Sequence, residues 1–283
     1  MSTKIIGLVK LIRPKQWIKN CFVLIPLIFS GGFLHIQAIN SSLQAFFLFC
    51  IASSAVYILN DLNDIEKDRL HPIKSKKRPL AAGDVSKSGA IILLVIIYMC
   101  LIASAFINLH VFYVIFSYII LNVFYSYYLK HQPVIDIFCI SIGFVLRVYA
   151  GAVALNVPLS SWMFVTTLCL ALYLASIKRR QELSQAGSES RNVLDQYSIS
   201  LIDKYAEMSA TGTVIFYSLF VMSAKEELVI SIPLVLFGLY RYWYVVEQLE
   251  GGESPTDVLY EDKLLLVTVF IWLILSLYVL YPH

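Results

Sequence analysis

The chain has 283 residues, of which 59% are hydrophobic and only 14% are charged, with a net charge of +3. Soluble domains carry about 25% charged residues, and a mean hydropathy of +0.74 exceeds what a globule of this size could hide from water. Composition therefore excludes a water-soluble protein, a disordered chain, a coiled coil and a secreted disulfide scaffold. We expect an integral membrane protein with no nucleic-acid partner.

Apolar runs long enough to cross the hydrocarbon core as helices, which takes about 20 residues, recur along the whole chain. They predict an all-α fold with nine transmembrane helices, forming one membrane domain over residues 1–283. The predicted spans cover residues 16–34, 42–60, 89–107, 111–128, 134–154, 160–177, 206–223, 228–246 and 264–281. The basic N-terminal segment has no small-residue cleavage site after it, so we interpret it as an interfacial segment leading into the first span.

The distribution of basic residues predicts the orientation. The connections after spans one, three, five and seven contain a single basic residue, Lys225, whereas those after the even-numbered spans contain most of the lysines and arginines. Basic loops stay in the cytosol, so we expect a cytosolic N-terminus and a multi-pass protein of the plasma (inner) membrane. Cytosolic loops near residues 61–88, 178–204 and 247–263 are then the segments expected to carry function.

The loop after span two is acidic. Asp61, Asp64 and Asp68 are spaced three and four residues apart, which places all three carboxylates on one face of a helix. Such carboxylates repel one another unless a cation lies among them, and hard oxygen ligands suit Mg²⁺ that bridges to substrate phosphates. We expect these three residues to be both the metal ligands and the catalytic group; the alternative is a solvated polar end to span two.

A basic run follows directly, and it includes Arg69, Lys74, Lys77 and Arg78. Part of this charge is explained by the positive-inside rule. Cations beside a carboxylate and metal site also suit a polyphosphate, because they neutralise oxygens that the metal does not reach. We therefore predict that these four residues bind substrate.

The loop after span six is basic where the first loop is acidic. Lys178, Arg179 and Glu182 lie in it, and two readings are open. Lys178 and Glu182 are four residues apart and could simply pair, with the cluster anchoring the protein at the membrane surface. The sharper reading is that the cluster binds a second phosphate group.

Two charges fall in or near span five, Asp136 and Arg147. Eleven residues correspond to about three helical turns, so the two side chains share a face. A charge inside a span is costly and usually faces a polar cavity, and guanidinium recognises phosphate well. Arg147 is the better candidate, with pairing to a neighbouring helix as its alternative. Arg241 and Asp262 are weaker substrate-binding candidates.

The pattern Asn60-Asp61-x-x-Asp64-x-x-x-Asp68, followed by Arg78-Pro-Leu-Ala-Ala-Gly83, resembles the first signature of the UbiA superfamily of membrane prenyltransferases. The resemblance covers essentially the full chain. It implies nine helices around a central cavity, with Mg²⁺ at aspartate-rich cytosolic loops. We add Lys19, Asn60 and Tyr125 to the candidate substrate-binding residues.

The second loop departs from the family pattern, which has another aspartate-rich motif after span six. Lys178-Arg-Arg-Gln-Glu182 stands there instead, and the sequence is similar to the polyprenyl-phosphate phosphoribosyltransferase branch. Three further stretches fit that branch: residues 13–20, residues 146–151, and Arg241-Tyr242 followed by residues 253–262.

That branch implies phosphoribosyl pyrophosphate as donor and a polyprenyl phosphate as acceptor, giving a lipid-linked pentose for cell-envelope glycan synthesis. Asp61, Asp64 and Asp68 would hold the Mg²⁺ of the donor, while Lys178, Arg179 and Arg147 would meet the acceptor phosphate. Two rival functions are an aromatic prenyltransferase of the same superfamily, which uses prenyl diphosphate, and a non-catalytic lipid transporter or scaffold. Exposed apolar helix faces also make a homo-oligomer plausible.

Overall fold

The computed structural model describes residues 2–70, 74–185, 193–249 and 255–282, and all regular structure in these ranges is helical. The α-helices are α1 (Ser2–Leu11), α2 (Ile25–Phe29), α3 (Ile36–Asn63), α4 (Ile65–Leu70), α5 (Lys74–Lys77), α6 (Pro79–Ala82), α7 (Lys87–Ala103), α8 (Leu109–Tyr127), α9 (Ile135–Ala154), α10 (Ser161–Gln185), α11 (Ile199–Ala224), α12 (Ile232–Gln248), α13 (Pro255–Glu261) and α14 (Lys263–Leu280). Short 3₁₀ helices cover Pro14–Leu24, Gly32–Leu34, Ser104–Phe106, Leu129–His131, Leu194–Gln196 and Glu226–Ser231.

Seven helical stretches in the described ranges are long and apolar enough to cross a membrane. They are Ile36–Asn63, Lys87–Phe106, Leu109–Tyr127, Ile135–Ala154, Ser161–Ser184, Glu226–Gln248 and Lys263–Leu280. They correspond to predicted spans two to six, eight and nine. The all-helical, multi-pass membrane class is therefore confirmed, whereas the count of nine spans and the cytosolic N-terminus stay predictions.

The two remaining predicted spans, the first and the seventh, are not among these membrane-type helices. Residues 16–34 do not form one α-helix, because a 3₁₀ helix over Pro14–Leu24 is followed by the short α2. Pro14 is the first residue of the 3₁₀ helix and Pro26 is the second residue of α2, as expected where the missing N–H falls in a first turn. The seventh span lies in α11, a 26-residue helix whose Glu207, Ser209 and Thr213 lower its hydropathy.

Helix α9 is the most enclosed of the seven membrane-type helices. It contacts the 3₁₀ segment Pro14–Leu24 on one side and α10 on another. Gly151 makes the first of these contacts possible, since a Cβ added there would lie 1.9 Å from the carbonyl oxygen of Val23. The backbones can approach this closely only because one of them has no side chain at that point.

The outer helices α7 and α14 present apolar side chains outward. Ile92, Val95 and Met99 on α7 are exposed, as are Val267 and Phe270 on α14. A helix with this much apolar surface is stable in lipid and would not be stable in water. The exposed faces therefore agree with a bilayer as the surrounding solvent.

We predict that Gly151→Ala lowers the stability of the protein, by about 1–3 kcal/mol, because the new methyl group must push the Pro14–Leu24 segment away from α9. Thermal unfolding in detergent measures the effect. Gly238→Ala is the matched control, since its nearest neighbour is Leu265 Cδ1 at 4.0 Å and Ala has the higher helix propensity. Equal unfolding midpoints for both variants would contradict the close contact.

Candidate active site

The acidic loop after predicted span two begins within the end of α3 and continues into α4. Asp61 lies in the last turn of α3, Asp64 lies at the break after Asn63, and Asp68 is in α4. The expectation that one helical face carries all three carboxylates is therefore not met. Asp61 and Asp68 nevertheless come together at one cation, because Arg78 Nη1 lies 3.1 Å from Asp61 Oδ1 and also bonds Asp68 Oδ2.

Asp61 is the centre of this cluster, and its side chain is only 1% exposed. Its Oδ1 atom accepts from Arg13 Nη2 at 2.5 Å as well as pairing with Arg78. Its Oδ2 atom is buried and has no hydrogen-bond partner among the described residues. A buried carboxylate needs compensation, and here two guanidinium groups supply it at one oxygen only.

Arg13 was not among the predicted site residues. The residue has a left-handed backbone with φ 52° and ψ 62°, an uncommon conformation for a residue with a side chain. Its guanidinium lies 4.9 Å from the centre of the Tyr57 ring while bonding Asp61. The sequence feature that could have identified Arg13 is its position in residues 13–20, a stretch that fits the resembled branch.

The carboxylates of this cluster suit a divalent metal ion. In the described part of the chain, no three His, Cys, Asp or Glu side chains are grouped to hold an ion, and Asp64 makes no ion pair there. Mg²⁺, however, is commonly bound by one or two carboxylates, with substrate phosphates completing its ligands. Asp61 and Asp68 provide hard oxygens, and the unpartnered Asp61 Oδ2 is a donor of the right kind.

Asparagines flank the cluster and join α3 to α8. Asn60 Oδ1 accepts from Ser126 Oγ at 2.5 Å, and Asn63 exchanges hydrogen bonds with Tyr127. Tyr125, the predicted substrate-binding residue on α8, is half-buried beside these contacts. The structure thus gives Asn60 a part in positioning the end of α3.

Arg147 is buried without an acidic partner among the described residues. Its Nε donates to Asn20 Oδ1 at 2.8 Å, and its Nη1 donates to the Gly143 carbonyl at 2.8 Å. Its Nη2 donates to Tyr118 Oη at 3.1 Å. The aromatic rings of Phe49, Tyr118 and Phe144 surround the guanidinium, and their centroids lie 4.9–5.6 Å from Arg147 Cζ. Burying an uncompensated cation is costly, so Arg147 is the strongest candidate for binding an anion.

Lys19 links Arg147 to the acidic cluster. It lies in the same 3₁₀ segment as Asn20, is half-buried, and is close enough to Arg147 and Arg13 for their charges to repel it. The exposed Asp257 of α13 attracts it from the other side. Lys19 therefore lies within electrostatic range of both Arg13 and Arg147.

The basic second loop is neutralised within the protein. Arg179 is almost fully buried, with its Nε 3.5 Å from Asp136 Oδ2 and its Nη1 bonded to Glu182 Oε2. Lys178 Nζ lies 3.8 Å from Glu182. Asp136 therefore faces Arg179, and its predicted shared face with Arg147 leads to no contact between the two. This compensation leaves Arg179 poorly suited to a ligand phosphate.

Tyr197 completes this cluster from the far end of the second loop. Its hydroxyl donates to Asp136 Oδ1 at 2.7 Å and accepts from the Val134 N–H at 2.5 Å. Val134 has a φ of 68°, which is strained for a β-branched residue. Burial raises the pKa of the Tyr197 phenol, so it remains a donor at physiological pH. Tyr197 thus fixes both the buried carboxylate and the entry to α9.

Arg241 and Asp262 form a structural clamp. Arg241 Nη2 lies 2.7 Å from Asp262 Oδ2, and Asp262 Oδ1 caps α14 by accepting from the Leu265 N–H at 2.8 Å. The hydrogen bond from Arg241 lowers the pKa of the Asp262 carboxyl. Arg180 forms similar ion pairs with Asp203 and Glu247. These two pairs were not predicted from the sequence. These pairs join the ends of α10, α11, α12 and α14.

The other predicted basic residues lie at the surface. Arg69 pairs with the exposed Glu66 at 3.3 Å, and Lys77 is exposed. The side chain of Lys74 lies outside the described residues, as do residues 71–73, 186–192 and 250–254 of the three predicted functional loops.

The acidic loop borders a cleft of about 470 Å³ that is lined by Leu62, Asn63, Ile65, Glu66, Arg69, Leu80, Gly83, Val85, Ser86 and Lys87.

The larger groove is lined by none of these charged residues. It has a volume of about 800 Å³ and lies beside the start of α8 and the end of α9, where His110 and Asn156 line it. The cluster around Asp61 is the candidate active site, because it joins two buried carboxylates to partly exposed arginines and leaves Asp61 Oδ2 without a described partner.

Membrane-type helices, with a cluster of arginines about two buried carboxylates, define a multi-pass membrane protein with a charged candidate site. The sequence model of the UbiA prenyltransferase family matches residues 23–258, and the chain belongs to this family. It is 32% identical to the decaprenyl-phosphate phosphoribosyltransferase of Mycolicibacterium smegmatis, over 94% of this chain and 90% of that protein.

Two further similarities agree with this assignment. The chain is 33% identical to the decaprenyl-phosphate phosphoribosyltransferase of Mycobacterium tuberculosis, over 94% of this chain and 92% of that protein. Its fold matches a UbiA homologue from Archaeoglobus fulgidus bound to GPP and Mg²⁺, with a TM-score of 0.70, 21% identity, and coverage of 97% and 99% of the two chains. The resemblance noted from the sequence is confirmed.

We predict that Tyr197→Phe lowers the unfolding midpoint in detergent. The change removes the hydrogen bond to buried Asp136 and the acceptor of the Val134 N–H, at a cost of about 1–3 kcal/mol. Tyr205→Phe is the control, because Tyr205 packs in the same apolar cluster without a described hydrogen bond. Equal midpoints in the two variants would contradict a stabilising role for the Tyr197 hydroxyl bonds, because both changes keep the ring and remove one hydroxyl.

Proposed function

We propose that the protein transfers 5-phosphoribose from phosphoribosyl pyrophosphate to a polyprenyl phosphate. The products are polyprenyl-phosphoryl-5-phosphoribose and pyrophosphate. Two relatives with this named activity, about one third identical over most of both chains, support the reaction. We further propose that the enzyme is a Mg²⁺-dependent pentosyltransferase of the plasma (inner) membrane, with its active site facing the cytosol.

One observation carries the proposal, which is the excess of cations in the charged cluster. Four basic side chains, Arg13, Lys19, Arg78 and Arg147, accompany the two buried carboxylates of Asp61 and Asp68. Both proposed substrates carry phosphate, so the site must neutralise more negative charge than one metal ion can. A site with net positive charge is suited to that task.

The acidic end of the cluster suits the donor. Asp61, Asp64 and Asp68 would hold Mg²⁺, which would neutralise the diphosphate and so make it a better leaving group. Arg78 binds both buried carboxylates and keeps α3 and α4 together. Its remaining donors can serve phosphate oxygens next to the metal.

The cationic end suits the acceptor. A polyprenyl monophosphate needs cations beside an apolar cavity, and Arg147 lies among aromatic rings with Lys19 close by. We therefore assign the acceptor phosphate to Arg147 and Lys19. The loop residues Lys178 and Arg179 are less suited, since Glu182 and Asp136 compensate them.

The chemistry needs little from a general base, because the acceptor oxygen is already anionic. An electron pair on the lipid phosphate oxygen forms the new bond to C1 of the ribose. The bond from C1 to the diphosphate breaks, and its electron pair leaves with pyrophosphate. The protein contributes by holding the two anions in line and by neutralising the charge that develops on the leaving group.

Purified protein supplied with Mg²⁺, ribose-labelled phosphoribosyl pyrophosphate and polyprenyl phosphate should place label in the organic phase, with one pyrophosphate released per lipid. Asp64→Asn should lose most of this turnover and remain folded, because Asp64 lies at a helix break without a described ion pair. Turnover of prenyl diphosphate with an aromatic acid, and no lipid label, would favour the aromatic prenyltransferase. No turnover of either pair would favour a transporter or scaffold.

We predict that Arg147→Met lowers turnover by about 10²–10³-fold, as expected for the loss of one charged donor to a reacting group, while the unfolding midpoint stays equal or rises. Removal of a buried charge that has no described acidic partner offsets the loss of its hydrogen bonds to Asn20, Gly143 and Tyr118. Arg180→Met is the contrasting variant, since it leaves Asp203 and Glu247 unpaired and should lower the midpoint. A large loss of stability in Arg147→Met would assign that residue a structural role instead.

A further inference from the structure

Arg13 reaches Asp61 from a different part of the chain. It lies at the junction between α1 and the Pro14–Leu24 segment, 48 residues before Asp61. Its side chain is 29% exposed, whereas that of Asp61 is 1% exposed. One partner of this ion pair therefore has room to move and the other does not.

The two oxygens of Asp61 have different surroundings. Oδ1 lies 2.5 Å from Arg13 Nη2 and 3.1 Å from Arg78 Nη1, whereas the buried Oδ2 has no partner among the described residues. Two cations already crowd one carboxylate. A divalent cation added at the same carboxylate would be repelled by both guanidinium groups. Two like charges about 4 Å apart repel each other by about 4 kcal/mol inside a protein.

Arg78 and Arg13 differ in how firmly they are held. Arg78 bonds Asp68 as well as Asp61, so it keeps one carboxylate if it loses the other. Arg13 has Asp61 as its single described carboxylate, but its guanidinium also lies over the Tyr57 ring. A cation–π contact of this kind is retained when the ion pair breaks, which favours Arg13 as the group that leaves.

We infer that Arg13 is an exchangeable counter-ion of Asp61: its guanidinium pairs with the carboxylate in the absence of a divalent cation, and yields it when the cation binds. The released guanidinium, still over Tyr57, then faces the phosphate oxygens that accompany the metal. This inference rests on the proposed metal site. It makes Arg13 a competitor of the metal and a binding residue for the substrate.

The exchange predicts opposite effects of one substitution. Arg13→Gln removes the competitor, so the metal should bind more tightly to the protein without substrate. The same change removes a donor to phosphate, so the KM for the pyrophosphate donor should rise. A residue with only a structural role would not tighten metal binding.

The test measures Mn²⁺ binding to the full-length, substrate-free protein by electron paramagnetic resonance, because carboxylate sites accept Mn²⁺ in place of Mg²⁺. Arg13→Gln should lower the Kd by roughly tenfold, the fold-change that corresponds to an ion pair of about 1.4 kcal/mol. Lys67→Gln is the matched control, since it removes one exposed positive charge next to Asp68 and should change the Kd by less than about twofold, given salt screening.

A second variant covers the case in which Arg13→Gln does not fold. Arg13→Lys keeps the charge but loses the forked donors, so it should pair less firmly with Asp61 and give a Kd below that of the wild type. Equal Mn²⁺ affinity in wild type and Arg13 variants, with Asp61→Asn weakened, would overturn the exchange and leave the metal site standing. An absence of Mn²⁺ binding in every protein would overturn both.

Discussion

The buried carboxylate of Asp61 is the group on which the rest of the site depends. At 1% exposure it cannot be compensated by water, so its charge requires cations from elsewhere in the chain. Arg13 and Arg78 meet that requirement, and in doing so they bring the start of the Pro14–Leu24 segment and the start of α6 to the end of α3. One desolvated charge thus assembles three chain segments into the candidate active site.

Much of the fold could be predicted because a helix needs about 20 mostly apolar residues to cross a bilayer. Apolar runs of sufficient length gave seven of the nine predicted spans as membrane-type helices. The first span differed because Pro14 and Pro26 divide it and because its contacts are specific: Gly151 must be small for Val23 to approach α9. Such a contact depends on two backbones in three dimensions, which hydrophobic periodicity does not encode.

The site was predictable where charges lie close together in sequence. Asp61, Asp68 and Arg78 were singled out from one loop, and the structure joins them. The break of α3 at Asp64 and the pairing of Arg179 with Asp136 were not foreseen. The latter joins residues 43 positions apart, and a basic loop looks the same in sequence whether its charges face a ligand or a buried carboxylate.

Polar contacts with distant residues help to hold the Pro14–Leu24 segment in place. Asn20 donates to Ser53 and accepts from Arg147, which lies 127 residues later, and Trp17 donates to Ser54. A segment of this kind gains little from entering lipid alone, since its polar groups would be unsatisfied there. It can take its final place only after α9 has been synthesised, so a segment that precedes all seven membrane-type helices is completed only after four of them have been made.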